Sequence, residues 1–137
     1  MQAYERFQRN LTRLLGEDTA VRIQSKGYMP LSIERIGRSA EGREQIAISH
    51  TYVQNGDLMR DPEIVFEIVP GLGAEPISFL NDGLGRRQEV YVYNPQGRRT
   101  HIRPQLQRQL RSFSSTWFRN LREQGFFAKD ALRERLA

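Results

Sequence analysis

The chain of 137 residues contains no cysteine. Disulfides, thiol catalysis and cysteine-based zinc sites are therefore excluded, and the absence fits a reducing compartment. Apolar runs are also short: none approaches the roughly 18 residues that a bilayer crossing needs. Charges within Met1–Arg9 break up the apolar stretch that a signal peptide would require. A soluble, cytoplasmic protein with no membrane contact is the expectation.

Lysine is scarce too. Of 21 basic residues, only Lys26 and Lys129 are lysines. The two histidines, His50 and His101, stand far apart in the chain. What is present is a globular composition, 38% hydrophobic with seven Phe, five Tyr and one Trp. The length suits one domain over residues 1–137 with its own core.

The net charge of +5 is unevenly spread. Residues 1–85 hold nine Lys/Arg against twelve Asp/Glu, a balance of −3. Residues 86–122 hold nine Arg against Glu89 alone, a balance of +8. The last fifteen residues are neutral. Basic character is local.

Tyr4, Phe7, Leu11, Leu14 and Leu15 recur at three- and four-residue steps and predict a helix, with Gly16 placed to end it. Alternation then takes over, at Val21/Ile23, Leu31/Ile33, Ile46/Ile48, Ile64/Phe66/Ile68, Ile77/Phe79 and Val90/Val92. Turn signals such as Asn55-Gly56, Pro70-Gly71, Asp82-Gly83 and Asn94–Gly97 separate these runs. Connections this short make neighbouring strands antiparallel.

From about His101 the period becomes helical. Leu106, Leu110, Phe113, Trp117 and Leu121 form a stripe, Pro104 sits near its start and Gly125 near its end. Phe126, Phe127, Leu132 and Leu136 suggest a short final helix or a tail packed on the domain. The expected fold is α+β: a single antiparallel sheet of five to six strands, with an N-terminal helix and a longer C-terminal helix on one face.

On a helical wheel Arg119 falls about 20° from Arg108, with Arg122 and Arg111 about 40° and 60° to its other side, opposite the apolar stripe. No acid occurs between Arg98 and Arg122. Charged helix faces are usually solvated and mixed in sign, because opposite charges four residues apart stabilise and like charges do not. A one-sign stripe suits phosphates, an acidic protein surface, or acids of the chain's own N-terminal part. The candidate binding residues are Arg86, Arg87, Arg98, Arg99, Arg108, Arg111, Arg119 and Arg122, with nucleic acid or an acidic, nucleic-acid-handling protein complex as partner. Tyr91 and Tyr93 lie near the paired arginines, where they either stack on bases or pack under the helix. An unpaired sheet edge leaves room for a homodimer.

A second cluster gathers His50, Asp57, Asp61 and Glu63. These side chains suit a hard metal or acid–base chemistry, and hence a metal-assisted hydrolase. Their spacing fails the EF-hand pattern, and the acid-x-Lys of restriction-type nucleases is absent. Neither His is followed two residues later by the Ser or Thr of two-histidine phosphoesterases, since Tyr52 and Arg103 stand there. No G-x-S-x-G or P-loop is present, and Gly71-Leu72-Gly73 lacks the Lys-Ser/Thr that a phosphate loop needs. No cofactor or catalytic residue is assigned. Turn chemistry accounts for Asn-Gly and Asp-Pro, and His50 shares a face with Ile46 and Ile48, as a hydrogen-bonded core histidine would.

The segment H-x-Y-x-Q-N-G-D-L-M-x-D-P-E runs through His50, Tyr52, Gln54, Asn55, Gly56, Asp57, Leu58, Met59, Asp61, Pro62 and Glu63. With Asn81-Asp82-Gly83 and Gln88–Tyr91, it resembles a functionally uncharacterised bacterial domain family often carried on plasmids and integrative elements. The resemblance implies an accessory protein of mobile DNA and supplies no activity; a protein-blocking anti-defence inhibitor that occupies an acidic or nucleic-acid-binding surface of its target stands beside it as an alternative.

Overall fold

A computed structural model describes all of residues 1–137. Helix α1 (Ala3–Leu15) buries Phe7, Leu11, Leu14 and Leu15 along one side. Gly16 ends it at φ +62, a left-handed conformation that costs glycine little, and its N–H donates to the Thr12 carbonyl at 2.8 Å.

Strands β1 (Ala20–Gln24), β2 (Leu31–Arg38), β3 (Glu44–Gln54), β4 (Asp57–Val69), β5 (Gly73–Asn81) and β6 (Arg86–Glu89) follow in a meander. Next come β7 (Tyr91–Tyr93), β8 (Arg99–Ile102), helix α2 (Pro104–Glu123) and β9 (Leu132–Arg135). The main sheet has seven strands in the order β6-β5-β4-β3-β2-β1-β9, and every pair is antiparallel. Strands β7 and β8 form a separate two-stranded sheet.

This corrects the expectation of one sheet with five to six strands. Two of the added strands carry no apolar alternation. The Arg-Arg-Gln-Glu of β6 is held to β5 by main-chain pairing from Ser78 to Asn81. The tail, expected as a short final helix or a segment packed on the domain, forms strand β9, paired with Val21–Gln24, with all four of its residues exposed. Leu132 and Leu136 mimic helical spacing without being buried. The anticipated strand at Val90 and Val92 divides, since Val90 enters the core while Tyr91–Tyr93 pairs with β8.

Asn55 and Gly56, at φ +52 and +83, close the β3–β4 hairpin as a two-residue turn of the type whose twist matches antiparallel strands. The expected 50–63 loop is thus the far end of two long strands. Both helices pack over Ile33, Ile48, Ile64 and Phe66. Phe7 of α1, Phe118 of α2 and Phe66 of β4 meet as a triangle with ring centroids 5.7–5.8 Å apart. That triangle fixes α1 beside α2. No helix is long and apolar enough to cross a membrane.

Candidate functional site

The buried side of α2 is turned from the one its apolar spacing outlines. Phe118 and Ser114 are buried while Phe113 is 38% exposed, because the Phe118 side of α2 meets α1. Arg108, Arg111, Arg119 and Arg122 all remain exposed on the outer side. None of the four forms an ion pair. Arg119 donates to Thr116 Oγ1 at 3.4 Å, and Arg122 donates to Asn10 Oδ1 at 2.9 Å.

That last bond crosses to α1, which adds charge of its own. Arg6, Arg9 and Arg13 are exposed there, with no carboxylate paired to any of them. Contacts advance together along both helices: Phe7 meets Phe118, Asn10 meets Arg122, and Arg13 and Arg122 flank the Phe127 ring at 5.8 and 4.5 Å. The helices therefore run side by side in the same sense. Between them lies a groove of about 420 Å³. Arg6, Arg9 and Asn10 form one wall, Ser115, Arg119 and Arg122 the other, and Phe7 and Phe118 the floor. No acid lines it.

The α1 arginines escaped the charge balance because the acids of residues 17–82 mask them. The signal was available in the spacing 6, 9, 13, one helical face on which Glu5 is the only nearby acid.

The other candidate arginines scatter. Arg86 and Arg87 are exposed on edge strand β6, where Arg87 sits 3.5 Å from Glu89. Arg87 also lines an open cavity with Arg103 and Gln105 at the start of α2. Arg98 is exposed at the turn between β7 and β8.

Arg99 goes inward. Its two terminal nitrogens donate to Glu67 at 2.9 and 2.8 Å, a bidentate pair, and Glu41 lies 3.4 Å from its Nε. Glu67 is wholly buried. Burial acts to raise the Glu67 pKa, but hydrogen bonds from Arg99, Ser39 and Gln45 and the Arg99 charge outweigh it and hold the carboxyl below its ordinary value. The guanidinium lies 4.1 Å from the Tyr91 ring and 5.7 Å from that of Tyr93, so these rings stack on an arginine of their own chain. Tyr91 donates to Glu75 at 2.6 Å, and burial followed by that bond raises the phenol's pKa. Gln107 of α2 also donates to Glu75, at 3.0 Å.

His50, Asp57, Asp61 and Glu63 do not gather into a ligand set, and no three such side chains cluster anywhere in the chain. His50 lies between the Trp117 and Phe126 rings, with Nδ1 3.1 Å from the Met29 carbonyl. Burial lowers its pKa against the effect of its backbone hydrogen bonds. Asp57 is exposed beside the hairpin turn. Asp61 accepts from Asn81 at 2.6 Å, and Glu63 lies 3.7 Å from Arg60. Arg60 in turn donates to Asp82 from both its backbone N–H and its Nε at 2.9 Å. The segment with the distinctive motif thus clamps the β3–β4 hairpin to the turn after β5.

Comparison with known proteins adds one match. A family model described as a domain of unknown function, DUF6908, matches residues 2–127. No curated protein and no solved structure matches the chain.

Proposed function

The chain belongs to the DUF6908 family of domains of unknown function, and from its surface we propose that it is a non-enzymatic module that binds nucleic acid, or a complex handling it, through the shared face of α1 and α2. One observation carries this reading. Arg6, Arg9, Arg13, Arg108, Arg111, Arg119 and Arg122 are all exposed on these two helices, and no carboxylate pairs with any of them. Like charges at helical spacing repel by a few tenths of a kcal/mol, a cost that an anionic partner removes. Guanidinium also matches phosphate bidentately. The resemblance of residues 50–67 to domains of plasmids and integrative elements supports a role around mobile DNA, and the setting it implies is the bacterial cytoplasm.

Phosphate contacts make affinity fall steeply with salt, since each neutralised phosphate of a duplex releases counterions and adds about −0.9 to the logarithmic slope. Titrating a labelled oligonucleotide at several salt concentrations tests this. Replacing Arg108, Arg111, Arg119 and Arg122 together by Gln is expected to reduce the slope by about 3 to 4. An affinity indifferent to salt, or to that replacement, removes the proposal.

A second reading is an anti-defence inhibitor that blocks a protein surface. It draws on the hairpin tip, where the cross-strand pair Val53 and Leu58 is 71% and 62% exposed, apolar surface that polyanion binding does not use. Pull-down with and without nuclease separates the two: a protein band that survives nuclease favours the inhibitor.

A further inference from the structure

Resting on the nucleic-acid reading just given, we infer that the groove between α1 and α2 seats one sugar–phosphate strand of double-stranded DNA, gripped from both walls, with no base stacking. The groove is concave and two-walled, with Arg6 and Arg9 facing Arg119 and Arg122 and no acid between them. A duplex presents its backbone as a ridge, which such a groove can straddle. Along its α2 wall, Ser115 to Arg122 spans about 10 Å at 1.5 Å per residue, roughly three base pairs of axial rise.

The chemistry of the rings argues against a single strand. Proteins that hold single strands take much of their affinity from bases stacked on exposed aromatic side chains. The floor rings here are sealed, Phe7 at 1% and Phe118 at 2% exposure. Phe127 already lies between Arg13 and Arg122. Phe113 faces Phe79 and Trp117 on the other side of α2. Within the groove no ring is free to receive a base.

An RNA duplex is recognised largely through its 2′-hydroxyls. The two-walled cleft matches a protruding backbone ridge rather than the wide, shallow minor groove that displays those hydroxyls, and its guanidinium lining suits phosphate without any group dedicated to a 2′-hydroxyl.

Fluorescence anisotropy with the whole chain tests the assignment, using a DNA duplex of about 20 base pairs, oligo(dT) of equal length and the matching RNA duplex at one salt concentration. The DNA duplex is expected to bind about tenfold or more tighter than oligo(dT), and tighter than the RNA duplex. Arg6→Gln/Arg9→Gln and Arg119→Gln/Arg122→Gln are each expected to lower the salt slope by about 2. Arg6→Lys/Arg9→Lys, which keeps the charge, retains most of the slope, and thermal melting of each variant confirms its folding. Oligo(dT) or RNA binding as tightly as the DNA duplex overturns this inference while leaving the broader reading standing. So does an unchanged slope in Arg6→Gln/Arg9→Gln. Failure of every nucleic acid to bind at low salt brings down this inference together with direct nucleic-acid binding by the helical face.

Discussion

Two groups of arginines from the same basic segment meet opposite fates. Those on α2 stay exposed with no carboxylate at ion-pair distance, whereas Arg99, only a few residues before the helix, is enclosed by Glu67, Glu41 and the Tyr91 ring. The difference lies in what the fold brings opposite each position. The sheet supplies buried carboxylates from β4 and β5 to the β7–β8 hairpin. The helices supply one another with further arginines. Sequence charge alone does not separate a buried anchor from an exposed arginine; the opposing element does.

The contrast breaks most readily at Arg99. Arg99→Met leaves Glu67 buried with only Arg43, 3.7 Å away, as a cationic neighbour. Removing one member of a buried pair typically costs about 3–5 kcal/mol, and the lower end applies with Arg43 in place. Urea unfolding measures this, and adding Glu67→Gln is expected to restore part of the loss. A cost under about 1 kcal/mol would erase the distinction between the two groups.

Acid sharpens it next. The Glu67 pKa is lowered in the folded state, so its contribution is fully present above the ordinary carboxylate value and disappears as pH falls through the folded one. Stability is thus expected to drop below about pH 4.5, more shallowly in Glu67→Gln than in the native chain. Equal slopes in the two proteins would deny Glu67 this role.

The smallest effect belongs to the helical face. Replacing Arg108, Arg111, Arg119 and Arg122 by Gln is expected to change stability by no more than about 0.5 kcal/mol per site. Salt is expected to raise the melting temperature of the native chain slightly by screening mutual repulsion, an effect the replacement weakens. A large loss of stability in this variant would show those arginines to be structural.

Both helices could be read from the residues, because Tyr4–Leu15 and Leu106–Leu121 announce a 3.6-residue period and Gly16 and Gly125 follow their ends. The central strands were equally plain, each with one apolar face over the helices. Strands β6 and β9 were not, since Arg86–Glu89 and Leu132–Arg135 are strands by main-chain pairing at the sheet's two edges rather than by burial. The outward arginines of α2 followed from its wheel. The wall that faces them did not, because pairing Arg6 and Arg9 with Arg119 and Arg122 depends on Phe7 meeting Phe118 across more than a hundred residues of chain. Arg99 was grouped with the surface because nothing local reveals that Glu67 lies beneath it.

One wall of the groove owes its seat to main chain as much as to side chains. Gly73, at φ +121, lets β5 approach α1 so closely that a single methyl there would overlap the Tyr4 carbonyl. Helix α1 is thereby seated by backbone against backbone. Its seat on the sheet therefore does not depend on its outward arginines, so that one chassis could be retuned to ligands of different charge density without altering its core.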